Sequence, residues 1–276
     1  MDLISLALAE DVGGGDVTVR YFSDASAMGR ARIFAKQKCV IAGMETAREV
    51  FARVDAELEV SVTARDGNVL EAGGELLGIY GRIGSILTAE RTALNFLQRL
   101  SAVATVTREY VQAVAGTGCR ILDTRKTTPG FRALEKAAVL AGGGTNHRAG
   151  LYDMVMVKDN HFAGGMELER LREGIRLAKE ERPDLRIEVE ADTLEQVAAF
   201  YQTPGIAVIL LDNMTVDEMR QAVAARPRGI VLEASGGITL ETVRQVAETG
   251  VDCISVGALT HSAGSVDLSL EILGRD

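Results

Sequence analysis

Arg125 and Lys126 stand side by side where the apolar pair Ile121-Leu122 gives way to a loop broken by Pro129-Gly130. Two adjacent cations repel each other and are best tolerated when an anion lies between them. A lone Arg-Lys pair is more often a solvated loop, but the next segments add more positive charge. Gly142-Gly143-Gly144 leads into Thr145-Asn146-His147-Arg148. Glycines there allow close backbone approach, and Arg148 offers a planar fork that matches a carboxylate. Lys158 directly follows Met154-Val155-Met156-Val157, so its stem leaves the core and its ammonium reaches the strand end. Such a lysine contacts an anionic substrate, acts as a Schiff-base nucleophile, or pairs with Asp123 or Asp212. The residues alone leave these readings open.

Negative charge follows. Glu190 and Asp212 end the next two apolar runs, Ile187–Glu190 and Val208–Asp212. Two carboxylates so placed hold Mg²⁺, bind ribose hydroxyls, stabilise a cationic transition state, or simply balance the cations. Glu188 shares a strand face with Glu190, and Glu190 is preferred because it lies nearer the strand end. Ser235-Gly236-Gly237 and Ser255-Val256-Gly257-Ala258 end the last two runs. Small residues before a helix N-terminus expose backbone N–H groups to phosphate, so this pair of loops points to a phosphorylated ligand. His147 and His161 sit in the cationic segment and His261 follows the last loop; none has the spacing of a helical zinc site.

Six apolar runs therefore end in charged or small residues, and in strand–helix barrels such endings gather at one face. Helices are expected near 133–141, 167–181, 193–201, 216–225 and 240–249, with Thr193, Thr215 and Thr239 as N-caps. Strand–helix alternation signals parallel strands with crossovers. Six strands are two fewer than a closed eightfold barrel needs, so an open, incomplete TIM-like β/α barrel is expected. Residues 1–102 read differently, as an α+β domain with a small antiparallel sheet. It has helices at 3–9 and 44–54, a loop at 11–16, and strands at 31–42, 58–64, 69–70 and 76–83. A long helix from Ser85 to Ala115, with a break near Ser101, joins the two parts. In the tail, Val266, Leu268, Leu270 and Ile272 alternate with polar residues, as in a strand. The domains are thus 1–102 plus 264–276, and 103–263.

The chain has 276 residues and a formal net charge of −9. That charge disfavours nucleic acid and fits small anionic substrates met by a local cationic patch. There is no candidate membrane span or signal segment, so a cytoplasmic protein is expected. Cys39, Cys119 and Cys253 lack ligand or disulfide spacing and read as small core residues.

The strings DTRKTTPG at 123–130, EKAAVLAGGGTNHRAGL at 135–151, KDNH at 158–161, EVE at 188–190, LLDN at 210–213, EASGGI at 233–238 and SVGALTHS at 255–262 resemble the quinolinate phosphoribosyltransferase family. ALAEDVGGGDVT at 7–18 and AERTALNFLQRLS at 89–101 resemble its N-terminal domain. The resemblance spans nearly the whole chain; Ala102 stands where the family pattern has glycine. It implies an N-terminal α/β-sandwich domain joined to an open barrel. It also implies a reaction: quinolinate and 5-phosphoribosyl-1-pyrophosphate give nicotinate mononucleotide, pyrophosphate and CO₂ in de novo NAD biosynthesis. Arg125, His147, Arg148 and Lys158 would surround quinolinate with Thr124 beside them, and Arg91 would join from the neighbouring subunit of a homodimer. Lys126 would contact the phosphoribosyl donor. Glu190 and Asp212 would hold the ribose hydroxyls and face the developing positive charge, which makes Lys126, Lys158, Glu190 and Asp212 the catalytic group. Ser235, Gly236, Gly237, Val256, Gly257 and Ala258 would cradle the 5′-phosphate with His261 nearby. Mg²⁺ would accompany the pyrophosphate, with Glu190 and Asp212 as candidate ligands, and no organic cofactor is implied. The assembly would be a dimer or a higher oligomer.

Three rivals compete with this reading. A Schiff-base aldolase uses Lys158 but leaves Arg125, His147 and Arg148 idle. A non-decarboxylating phosphoribosyltransferase would act on another acid. A metabolite-binding regulator would not need the full set of cations and carboxylates.

Overall fold

In the computed structural model, which describes residues 2–24, 27–161 and 167–275, Gly29, Ala31, Ile33 and Ala35 point inward from strand Met28–Ala35. Inward and outward positions alternate because successive strand side chains leave on opposite faces. This strand is central to a four-stranded antiparallel sheet, in the order Leu268–Arg275, Met28–Ala35, Glu75–Arg82, Glu59–Val62. Ile33 sits opposite Leu270 on one side and Leu77 on the other. The alternating tail is thus the edge strand of the N-terminal sheet. Helix Met44–Val54 covers the sheet with Ala47, Val50 and Phe51, all fully buried. Cys39–Val40 pairs separately with Val69–Leu70, so the long strand expected over 31–42 is two short ones. The first helix runs to Val12, past the expected loop start, and a further helix, Val17–Phe22, begins at an Asp16 cap whose carboxylate accepts the Val19 amide at 2.9 Å.

Helix Ile83–Ala113 is continuous through Ser101. The expected break is absent because the buried Ser101 hydroxyl accepts the Ala42 amide at 3.0 Å, leaving the helix backbone intact. The chain forms two bodies: residues 1–108, 127–143 and 259–276, and residues 109–126 and 144–258.

The second body holds a six-stranded parallel sheet in the order Arg120–Leu122, Cys253–Ser255, Val231–Ser235, Val208–Asp212, Ile187–Ala191, Val155–Val157. The first strand pairs with the last, while the first and second are not neighbours, so the barrel is open between them. Thr145 lies beside the first strand instead: its amide donates to Ile121 O at 2.8 Å and its carbonyl accepts the Asp123 amide at 3.1 Å. Helix Arg132–Gly142, which follows the first strand in sequence, packs within the first body. There its buried Glu135 pairs with Arg99 at 2.8 Å.

Thr193 and Thr215 cap their helices with complete capping boxes. Thr239 does not cap: the last crossover helix spans only Val243–Ala247, with Thr242 in the cap position. The chain first completes a turn in which the Thr239 amide donates to the Thr242 hydroxyl at 3.0 Å. All three cysteines are buried, and burial pushes the Cys119 thiol up to about 12. No described helix is long and apolar enough to cross a membrane.

Candidate active site

A cavity of about 460 Å³ opens at the C-terminal ends of the parallel strands and is lined by residues of the second body alone. Its cationic wall is Arg125, Lys126, Arg148 and Lys158, and Thr124 and His147 line it as well. Glu190 and Asp212 line the same cavity, as do Ser235-Gly236-Gly237 and Ser255. Parallel register places these groups in rows: Glu190 aligns with Leu210, Leu210 with Glu233, and Asp212 with Ser235.

The cations are fixed by local chemistry. Arg148 donates to Met154 O at 3.3 Å and to Met156 Sδ at 3.4 Å. Burial, and after it the charge of Arg125, lower its proton affinity. That cost marks a region short of negative charge, which an anionic ligand relieves. Lys158 forms an ion pair with the buried Glu190, neither Asp123 nor Asp212 being its partner. The Lys158 amide donates to His161 Nδ1 at 2.9 Å, so His161 shapes the turn that carries the lysine. Asp212 accepts from Asn213 Nδ2 at 3.0 Å.

Around His147 sits a cluster joined across neighbouring strands. His147 Nε2 lies 3.1 Å from Glu188 Oε2 and 3.5 Å from Glu233 Oε1. Both carboxylates are buried. The His147 amide donates to the fully buried Asp123 at 2.8 Å, and its Nδ1 accepts the Arg148 amide at 2.7 Å. Burial opposes charge on the ring and Glu188 and Glu233 favour it, raising its proton affinity, while the Arg148 N–H held at Nδ1 stands against a second proton there. Burial raises Glu188, with the charge of Glu233 adding to the effect and the hydrogen bond from His147 opposing it. Glu188 had a sequence signal, the spacing that puts it on one face with Glu190; Asp123 and Glu233 directly follow apolar runs, yet nothing local ties them to His147.

Not every expected residue lines the cavity. Val256 is buried and its amide already donates to Leu122 O at 3.0 Å, so it serves the sheet. Gly257 and Ala258 are partly buried and lie outside the lining. Arg91, exposed on the long helix, and His261, whose Nδ1 lies 2.6 Å from the Ser262 hydroxyl, belong to the first body. Glu190, Asp192 and Asp212 offer carboxylate oxygens all within 4.8 Å of one another, a donor set suited to a hard divalent cation.

Family models of the quinolinate phosphoribosyl transferase N-terminal and C-terminal domains match residues 16–101 and 103–271. The chain is 41% identical over 272 residues to the probable nicotinate-nucleotide pyrophosphorylase (carboxylating) of Bacillus subtilis strain 168, covering 98% of this chain and 92% of that protein. It is 40% identical over 288 residues to a mitochondrial quinolinate phosphoribosyltransferase (decarboxylating), 2b, of Nicotiana tabacum, covering 98% of this chain and 81% of that one. The solved nicotinate-nucleotide pyrophosphorylase of Francisella tularensis superposes with a TM-score of 0.91 at 34% identity, over 98% of this chain and 94% of that chain. Since both domain models match in order and the likeness runs almost end to end, the chain belongs to the quinolinate phosphoribosyltransferase family.

Proposed function

We propose that this protein transfers the phosphoribosyl group of 5-phosphoribosyl-1-pyrophosphate to the ring nitrogen of quinolinate and decarboxylates the adduct, supplying nicotinate mononucleotide for de novo NAD biosynthesis. One observation carries the reading: four cations and a carboxylate pair line one cavity together with a glycine-rich loop. Arg125, Arg148 and Lys158 meet the two substrate carboxylates. Thr124 lies beside them, and Lys126 meets the donor. Ser235, Gly236 and Gly237 take the 5′-phosphate.

The carbon–oxygen bond to pyrophosphate breaks with its electron pair leaving on oxygen. The ribose centre becomes cationic, and Glu190 and Asp212 stabilise it electrostatically. The ring nitrogen then supplies the new bond and becomes positive. When the adjacent carboxylate leaves as CO₂, its bonding pair stays on the ring carbon beside that nitrogen, and the carbon takes up a proton. The cations must hold the dicarboxylate without over-stabilising the group that departs. Lys158 is engaged by Glu190, an arrangement suited to a charged contact rather than to the free amine of a Schiff base.

Mg²⁺ bound with the pyrophosphate would be held by Glu190 and Asp212, with Asp192 adjacent, and would screen the leaving charge. The working form is a homodimer in which Arg91 completes the neighbour's site, and the small, highly charged substrates suit a cytoplasmic enzyme. The test is an assay of CO₂ and nicotinate mononucleotide from quinolinate, with and without the donor and after divalent ions are chelated. Both products should appear together, and only with donor and Mg²⁺. Nucleotide formation from a different acid without CO₂ release would reject the proposal.

A further inference from the structure

The family pattern makes His147 a substrate contact, yet the structure commits both of its ring nitrogens elsewhere. Nδ1 accepts the Arg148 amide at 2.7 Å, and Nε2 faces Glu188 at 3.1 Å and Glu233 at 3.5 Å. Neither oxygen of Glu188, nor Oε1 of Glu233, has another hydrogen-bond donor among the described residues. Two buried carboxylates converging on one nitrogen require a proton there, because an unshared carboxylate in such a place is costly. An acceptor at Nδ1 and a donor at Nε2 define one ring tautomer. A second proton would have to go on Nδ1, directly against the Arg148 N–H.

We propose that Glu188 and Glu233 are positioning residues that hold the Nε2–H form of His147, and that His147 acts through the Arg148 backbone rather than on the substrate. The segment is clamped at consecutive amides: Asp123 accepts from His147 N at 2.8 Å and the ring accepts from Arg148 N at 2.7 Å. From that fixed point the Arg148 side chain runs along Met154 and Met156 to the cavity wall. The carboxylate pair thus sets the direction of the guanidinium that meets the dicarboxylate. This rests on the reading of Arg148 as a quinolinate contact.

Two measurements test it. In ¹⁵N-labelled wild-type protein without substrate, long-range ¹H–¹⁵N correlation at neutral pH should show His147 protonated at Nε2 alone. A ring protonated at both nitrogens overturns the proposal, and this result needs no variant to fold and no activity. In steady-state kinetics, Glu188→Gln keeps an acceptor for Nε2–H and should stay within about threefold of wild type. Glu188→Leu removes the acceptor and should raise the quinolinate KM about tenfold, the weight of one hydrogen bond to a charged group. Its kcat and its KM for the phosphoribosyl donor should change little. In an Arg148→Ala background Glu188→Leu should add nothing, since the effect passes through Arg148. Equal losses in the Gln and Leu variants, or a Leu effect that persists without Arg148, overturn the proposal. If Arg148→Ala alone leaves the quinolinate KM unchanged, the reading of the substrate site fails instead, and the ring's protonation still judges the clamp.

Discussion

Asp212 and Glu190 differ in what they are free to do. Glu190 is buried and engaged by Lys158, whereas Asp212 is half-buried and bound at one oxygen by its own neighbour, Asn213. Asp212 is therefore the carboxylate able to turn toward a ribose centre that becomes positive only in the transition state. An interaction made mainly there lowers kcat when removed, with little effect on ground-state affinity. Asp212→Ala should reduce kcat roughly a hundredfold and leave the quinolinate KM within a few-fold, as read by initial rates over both substrates. A change confined to the quinolinate KM would remove Asp212 from the ribose. Asp212, Arg125 and Lys158 were legible in the sequence because each breaks an apolar run with a charge. Asp123 and Glu233 follow apolar runs as directly, but the contact that they and Glu188 share with His147 was not legible. Their meaning depends on which strands are neighbours: Glu188 and Glu233 reach the same imidazole only because both flank the strand Val208–Asp212.

The loop after strand Val231–Ser235 shows what an element contributes. Gly236 has φ +99°, and a Cβ there would meet the Asn213 side chain and, at 2.9 Å, its backbone nitrogen. Asn213 itself has φ +54°, the only positive value among the described non-glycine residues, and its amide donates to Ser235 O at 2.9 Å. Two adjoining strand ends are thus locked with no room for a side chain. Gly237, at φ +60°, has no atom within 4 Å of a Cβ position. Gly237→Ala should therefore cost only the left-handed strain, about 1 kcal/mol. Gly236→Ala adds collision with a backbone that cannot retreat and should cost about 2–3 kcal/mol, with a raised KM for the phosphoribosyl donor. Urea unfolding and donor titration check both; equal costs would mean that the Asn213 contact is not what constrains the loop. The Thr193 and Thr215 caps were legible because the Thr-x-x-Gln/Glu signature is local. The Thr239 cap failed because the two left-handed glycines feed a turn before the helix. Helix Val17–Phe22 escaped notice for another reason: its apolar residues Val17, Tyr21 and Phe22 are 67%, 70% and 86% exposed, so no burial pattern marks it.

That exposure belongs to the scale of the whole molecule. Leu151 and Tyr152 in the second body are each 76% exposed as well, and exposed apolar side chains of this size suit coverage by another chain. The strand order explains why the barrel alone is unfinished: it opens between its first and second strands, and the helix between them in sequence is committed to the first body. Strand number was legible in the sequence; the commitment of that helix was not, since it turns on the buried Arg99–Glu135 pair. The cavity likewise draws its lining from one body, while Arg91 stands exposed on the other. If a second copy supplies Arg91, a twofold dimer has two composite sites. Arg91→Ala and Lys158→Ala homodimers should then each be nearly inactive. In a mixed dimer, one site receives both substitutions and the other receives neither. Co-refolding equal amounts makes half the dimers mixed, each with one intact site, so activity should recover to about a quarter of wild type. The recovery should track the mixed fraction measured with differently tagged chains. If Arg91 instead serves its own chain, every site in the mixture lacks one residue, and no mixing ratio restores turnover.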